Sequence, residues 1–216
     1  MSGSSDSLDL AAVQAALQAD GLDGWLLYDF RGINPIAADI TGVLRQGGHM
    51  ATRRWYYLIP ATGMPRALVH AIEPHALAHL PGESVRYAGR GELEAGLKTI
   101  LDGIRTVAME YSPACAIPYV SRIDAGTIEL VRACGVQIAS SGDLIQRFSA
   151  VWSDTEIALH LQASAALYRV KDLAFQAIQQ RVRYGVDTTE YDIQQMMVGW
   201  FRELGLVSDS PPMVSA

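Results

Sequence analysis

The sequence predicts an α/β domain followed by two long helices, and three observations predict it. Up to about Ala150, short β-branched and aromatic runs alternate with amphipathic stretches, the texture of strands interleaved with helices. Beyond that point the strand-like runs stop, and apolar residues recur at helical spacing through two segments. Both of those segments open on side chains suited to capping a helix. The change of texture sets the expected domains at 1–150 and 151–216.

The first helix is expected over Leu8 to Ala19, with Leu10, Val13 and Leu17 on one face, stopped by Asp20-Gly21. A strand follows at Gly24 to Asp29, then a turn and a short helix from Pro35 to Thr41, where proline fits because a first-turn N–H needs no partner. The segment RQGGHMATRR reads as a flexible patch. Trp55 to Ile59 and Arg66 to Ile72 read as strands joined by PATGMP, a connection suited to a hairpin. A short helix is expected at Glu73 to Leu80, a strand at Ser84 to Tyr87 and a helix at Gly91 to Leu101. Thr106 to Glu110, Ser121 to Ala133 and Val136 to Ala139 complete the domain as strand, helix and strand, so six strands share it with flanking helices.

In the second part, Ser153 and Glu156 form an S-x-x-E capping box that starts a helix at Asp154. Leu159, Ala163, Leu167, Val170, Ala174 and Ile178 form one apolar stripe, and Leu161, Tyr168 and Phe175 a second, which implies a helix between layers. YGVD breaks it. Asp187 and Glu190 are expected to cap the next helix, in which Ile193, Met196, Met197, Trp200, Phe201 and Leu204 line one face and which closes at Gly205. Met213-Val214 then reads as the opening of a strand.

Bulk properties exclude several functions. The 216 residues are 50% hydrophobic with a mean hydropathy of +0.12, enough for a sizeable core. No apolar run approaches the roughly 20 residues of a membrane-spanning helix, and MSGSSDSLDL lacks the pattern of a secretory signal. A cytoplasmic protein without a membrane partner is expected. Seventeen Lys and Arg against 23 Asp and Glu leave a net charge of −6, which argues against nucleic acid. Cys115 and Cys134 lack metal-site spacing and are expected to be reduced, packed thiols.

The candidate chemistry is sparse. His75 and His79 stand one helical turn apart, but no third ligand has defined spacing, so an exposed helix face is the better reading. AGRGELEAG matches neither G-x-G-x-x-G nor a P-loop and reads as a strand-to-helix turn. Glu92 and Glu94 lie on opposite sides of a helical turn and do not converge as an acid/base pair. No serine sits in G-x-S-x-G. Met196-Met197 with Trp200 and Phe201 reads as core. One stretch stands apart, HMATRRWYYLIP, where His49, Arg53, Arg54 and Trp55 gather cationic and aromatic groups at a loop-to-strand junction. Guanidinium groups there suit carboxylate recognition; the competing reading is a solvated arginine pair beside a packed tryptophan.

Five stretches in order carry a resemblance to a known family: DGWLLYDFRGINPIAADITG, RRWYYLIPATGMPRALVHAIE, TVAMEYSP, VWSDTEIALHLQASAAL and GVDTTEYDIQQMMVGWFRELGL. Together they resemble the creatinase / Xaa-Pro aminopeptidase / prolidase family of pita-bread hydrolases. The resemblance implies an N-terminal domain with a mixed sheet and helices, then the first two helices of an incomplete pita-bread catalytic domain. It also implies a parent hydrolase, most simply a peptidase cutting next to proline, with two divalent metal ions (Mn, Co or Zn) activating a water. In the family order the ligands, two aspartates, a histidine and two glutamates, follow the strand resembled by PPMVSA. The expectation is therefore that these 216 residues hold neither catalytic nor metal-binding residues and do not hydrolyse peptides alone. The resemblance further implies a homo-oligomer, a dimer or larger, in which His49, Arg53, Arg54 and Trp55 form a substrate lip for a neighbouring active site. A creatinase-like small-molecule hydrolase and a non-catalytic binding or assembly module remain the alternatives.

Overall fold

The structure is a computed structural model and describes residues 8–43 and 51–215. The flexible patch expected before Trp55 falls largely outside them, and His49 with it. The chain divides into two compact units between Val151 and Trp152.

Strict alternation along the strands builds the first unit. Helix α1 (Leu10–Ala19) leads to β1 (Gly24–Asp29), α2 (Pro35–Thr41), β2 (Trp55–Pro60), β3 (Arg66–His70) and β4 (Glu83–Tyr87). Then come α3 (Arg90–Ile100), β5 (Thr106–Met109), α4 (Ala125–Arg132), β6 (Gln137–Ser140) and α5 (Gly142–Phe148). The six strands form one sheet in the order β4-β3-β2-β1-β5-β6. It is mixed: β2 runs antiparallel to β1 and β3, while β1/β5, β3/β4 and β5/β6 are parallel.

Because successive side chains leave a strand on opposite faces, Trp25, Leu27, Trp55, Tyr57 and Ile59 enter one core while Leu26, Tyr28, Tyr56 and Leu58 enter the other. Helices α1, α2 and α5 cover the first face through Val13, Leu17, Ala37, Ile40 and Leu144. Helices α3 and α4 cover the second through Leu93, Leu97, Ile100, Ile128 and Val131. The sheet is thus a buried middle layer, and the two central strands β1 and β2 are buried at every position. Gly96 is what lets α3 lie close on β3, since a Cβ there would meet Leu68 Cδ1 at 2.5 Å.

Several local expectations are corrected. Helix α1 begins at Leu10 because the Asp9 carboxylate accepts from the Ala12 amide and caps it. No helix forms over 73–80: the segment is a series of turns with Ala76 N to Glu73 O, Ala78 N to His75 O and Leu80 N to Leu77 O bonds, so the i to i+4 ladder never starts. Helix α4 starts at Ala125, four residues late, because Asp124 caps it through Thr127 N. A 3-10 turn at Pro113–Cys115 and helix α5 were not anticipated, and the first places Cys115 in solvent rather than packed.

The second unit is two helices, α6 (Asp154–Arg183) and α7 (Glu190–Glu203). Ser153 and Glu156 form the expected capping box. The second box is made by Thr189 and Asp192, not Asp187 and Glu190, because the YGVD break extends two residues further before the helix begins. On α6 only Val170 and Ala174 are buried, and Leu159, Leu161, Leu167, Tyr168 and Phe175 are exposed, so the expected burial between layers is not seen. Residues 213–214 form no strand.

Candidate functional site

The arginine pair before β2 opens into a cleft of about 270 Å³ in the first unit. Register creates it. Asp29 pairs with Trp55 at the end of the β1/β2 ladder, so Phe30 and Arg54 emerge side by side. The Arg54 guanidinium sits over the Phe30 ring, 5.7 Å from its centroid. Tyr87, the last residue of β4, donates its hydroxyl to the Arg54 carbonyl at 2.8 Å and fixes the backbone there. The chain then turns through Ala88 and Gly89 into α3, bringing Arg90 and Leu93 to the opposite wall. Phe30, Tyr87 and Leu93 give the cleft an apolar floor, and Arg53, Arg54 and Arg90 line its rim.

The loop carrying the arginines is clamped from below. Glu73 accepts from the Thr52 amide at 2.9 Å, the Thr52 hydroxyl at 2.6 Å and the Arg53 amide at 3.0 Å. Burial pushes its carboxyl up, but these hydrogen bonds and the Arg53 charge outweigh that and hold it below the ordinary range. Burial raises the Tyr87 phenol to about 12, with the Arg54 charge opposing. Neither Arg53 nor Arg54 forms an ion pair among the described residues. Arg90 does, to Glu94 at 2.7 Å.

The residues expected at this site are not all together. Arg53 and Arg54 line the cleft, whereas Trp55 points to the other face of the sheet, 1% exposed, with its indole N–H buried and unpartnered. Trp55 opens β2 and enters the core beneath α1, α2 and α5, whereas Arg53 and Arg54 precede the strand and both reach the cleft. Phe30, Tyr87 and Arg90 were not anticipated. The only sequence signal for them was AGRG, whose glycine caps α3 without a side-chain hydrogen bond.

A second polar centre lies inside the molecule, at the carboxyl ends of β1 and β5. Glu110 is fully buried and accepts from Trp25 Nε1 at 2.7 Å, Asn34 Nδ2 at 2.8 Å and Ser141 Oγ at 3.2 Å. Asn34 also caps α2 by accepting from the Ala37 amide, and its own amide donates to Asp29. With no cation beside it, desolvation raises the Glu110 carboxyl to about 7 against those three donors. Ser141, at the start of α5, makes no cap bond with its hydroxyl and gives it to Glu110 instead. The centre ties β1, α2, β5 and α5 together.

No metal centre forms: among the described residues, no three His, Cys, Asp or Glu side chains come together. His79 contacts the Thr41 carbonyl at 2.8 Å, and His75 stands in a turn, so the two do not share a helix face. No helix among the described residues is long and apolar enough to cross a membrane.

Among solved structures, the chain is similar to dipeptidase PepE from Mycobacterium ulcerans, with a TM-score of 0.53 and 18% identity over 90% of this chain. The chain has the fold of the prolidase-type peptidases. A prolidase from Thermococcus sibiricus is similar to the same degree, with a TM-score of 0.52 and 12% identity over 89% of this chain. Only 48% of each of those chains is covered, so this chain spans about half the length of these prolidase-type structures. No family model matches the sequence, and no curated protein does.

Proposed function

We propose that this chain is the N-terminal portion of a metal-dependent peptidase of the Xaa-Pro aminopeptidase/prolidase type. The observation that carries this is the prolidase-type fold, retained over 90% of the chain in the order mixed-sheet domain, then two helices. In the whole protein, two divalent ions would polarise the scissile carbonyl and supply hydroxide next to a proline bond. The described residues do not fit such a metal pair, having no cluster of three ligating side chains. No step is therefore assigned to them. Their roles in this proposal are assembly into a homo-oligomer and walling of a neighbouring active site, with Arg53 and Arg54 at the lip.

The test compares the 216-residue chain with a protein extended along its own coding frame to about twice that length, the size of the similar structures. Both are assayed on Xaa-Pro peptides with Mn, Co or Zn. The expected result is metal-dependent turnover by the longer protein and none by the shorter. Turnover by the 216 residues alone, or none by a longer protein carrying a full Asp, Asp, His, Glu, Glu set, would refute the proposal. Sedimentation of the longer protein checks the assembly, which a strict monomer would contradict.

A further inference from the structure

We infer that the open edge of β4, with the cavity beside it, docks an extended acidic peptide segment, which adds an antiparallel strand to the sheet and sets one carboxylate against Arg86. Neither peptidase chemistry nor the arginine cleft before β2 enters into this.

β4 is the last strand on its side of the sheet and pairs with β3 alone. The Glu83 amide donates to the Pro65 carbonyl and the Ala71 amide to the Tyr87 carbonyl, so the odd-numbered residues of β4 bond inward. Ser84 and Arg86 therefore aim their N–H and C=O groups away from the sheet, and no described residue bonds them. The register with β3 is one to one over all five residues, and no proline interrupts the strand. Of the usual means by which an edge refuses another strand, β4 lacks the bulge and the proline and has only charge. Its arginine, moreover, stands at a cavity.

That cavity supplies the specificity. About 230 Å³ lie between the sheet and the turns over 74–82, with Tyr57, Ala67 and Val69 buried at the floor and Ser84 and Arg86 exposed at the mouth. The space is below the usual size of a small-molecule site and ample for one side chain. Tyr57 ties the roof down by donating its hydroxyl to the Pro81 carbonyl at 2.8 Å. Ser84 and Arg86 stand opposite Ala67 and Val69, so the side chains of the two residues with free backbone groups share the cavity face. Among the described residues the Arg86 guanidinium has no hydrogen bond and no ion pair. Glu83, the one acid in the lining, alternates to the face of Val85 and Tyr87. A strand laid on β4 bonds Ser84 and Arg86 through its backbone and brings the side chain opposite Arg86 to that unclaimed guanidinium, where a carboxylate is the complementary group. A second copy does not meet this need. Pairing through the same edge sets Ser84 and Arg86 against another Ser84 and Arg86, so arginine approaches arginine and no acid arrives.

The test titrates the ¹⁵N-labelled 216-residue chain with the acetylated, amidated peptide Lys-Thr-Val-Glu-Val-Thr-Lys, whose lysines keep it soluble and set one cation opposite Glu83. Saturable shifts are expected at the Ser84 and Arg86 amides, with slowed hydrogen exchange at those two N–H groups, which strand pairing protects and charge attraction does not. Glutamine in place of the peptide's glutamate, or Arg86→Gln in the chain, should weaken binding by about tenfold, and the two losses should not add, since they remove the same contact. An N-methyl group on the glutamate, whose N–H faces the Arg86 carbonyl, should abolish binding; one on the next valine, whose N–H points away, should be tolerated. Absence of saturable shifts would overturn the inference, as would shifts without exchange protection at Ser84 and Arg86. Equal affinity for the glutamate and glutamine peptides, or for the two N-methyl peptides, would overturn it as well. Protection of the two amides that grows with chain concentration in the absence of peptide would overturn it in favour of a second copy.

Discussion

Replacing Glu110 by Gln should change how stability depends on pH, and the buried centre allows the size to be worked out. The carboxyl titrates at about 7 in the folded chain against an ordinary value of 4.5. A raised folded value means the folded state holds its proton more tightly than the unfolded state. The associated stability is fully present below pH 4.5 and is lost as pH rises to about 7. The gap corresponds to about 3 kcal/mol across that window. Glutamine carries no charge, so this slope should vanish. It keeps an oxygen for Trp25 and Ser141, which both donate to Oε1, but sets an NH₂ against Asn34 Nδ2. Asn34 cannot simply flip, because its oxygen caps α2. That mismatch costs about 1 to 3 kcal/mol at every pH. The variant should therefore be clearly weaker than wild type near pH 5 and about equal to it, or stronger, at pH 8. Urea titrations at pH 5, 6, 7 and 8, followed by tryptophan fluorescence and circular dichroism, measure the difference directly. If the two proteins' midpoints ran parallel across that range, the reasoning about Glu110 would be refuted.

Other changes test separate parts of the fold. The Tyr56 hydroxyl is buried with no partner at hydrogen-bond geometry, and Thr127, the polar side chain acting on it, gives its hydroxyl to Asp124, so Tyr56→Phe should leave the melting temperature unchanged or raise it; a loss beyond about 1 kcal/mol would show that Thr127 bonds it after all. Gly82 has φ +116°, and a Cβ there would overlap the Pro65 carbonyl, so Gly82→Ala should cost about 2 kcal/mol or more in a denaturant titration. Ser153→Ala removes the cap of α6 and should cost about 1 kcal/mol, seen as faster amide exchange confined to its first turn. Uniform acceleration along the helix would contradict that local role.

Much of the fold was legible because its determinants are local. The β1 and α2 bounds follow from the apolar run at 24–29 and from Asn34-Pro35 at the helix start, and both hold residue for residue. Capping chemistry misled at one place only by register: Thr189 and Asp192 have the same spacing as the pair expected two residues earlier. The 73–80 segment failed for a different reason. Its apolar spacing fits a helix, but Pro74 and the i to i+3 turn bonds keep it from propagating one.

The candidate site was half legible. Arg53 and Arg54 could be singled out because cations beside glycines at a strand start are conspicuous in the chain itself. Their partners were not, since Phe30, Tyr87 and Arg90 lie 23, 34 and 37 positions from Arg53 and no local pattern links them. Trp55, adjacent in sequence, was grouped with the arginines and belongs to the opposite core.

The amino-acid sequence by itself determined the alternation of strands and helices, the caps of α6, the absence of a transmembrane-length apolar run and the family resemblance. These depend on residue type and spacing over a few turns of chain. Tertiary structure alone decided which arginine keeps an unclaimed donor edge, which tryptophan is core, and that a lone glutamate is buried among three donors. Strand register and the packing of distant helices set those outcomes, and they bring together groups that no short stretch of sequence contains.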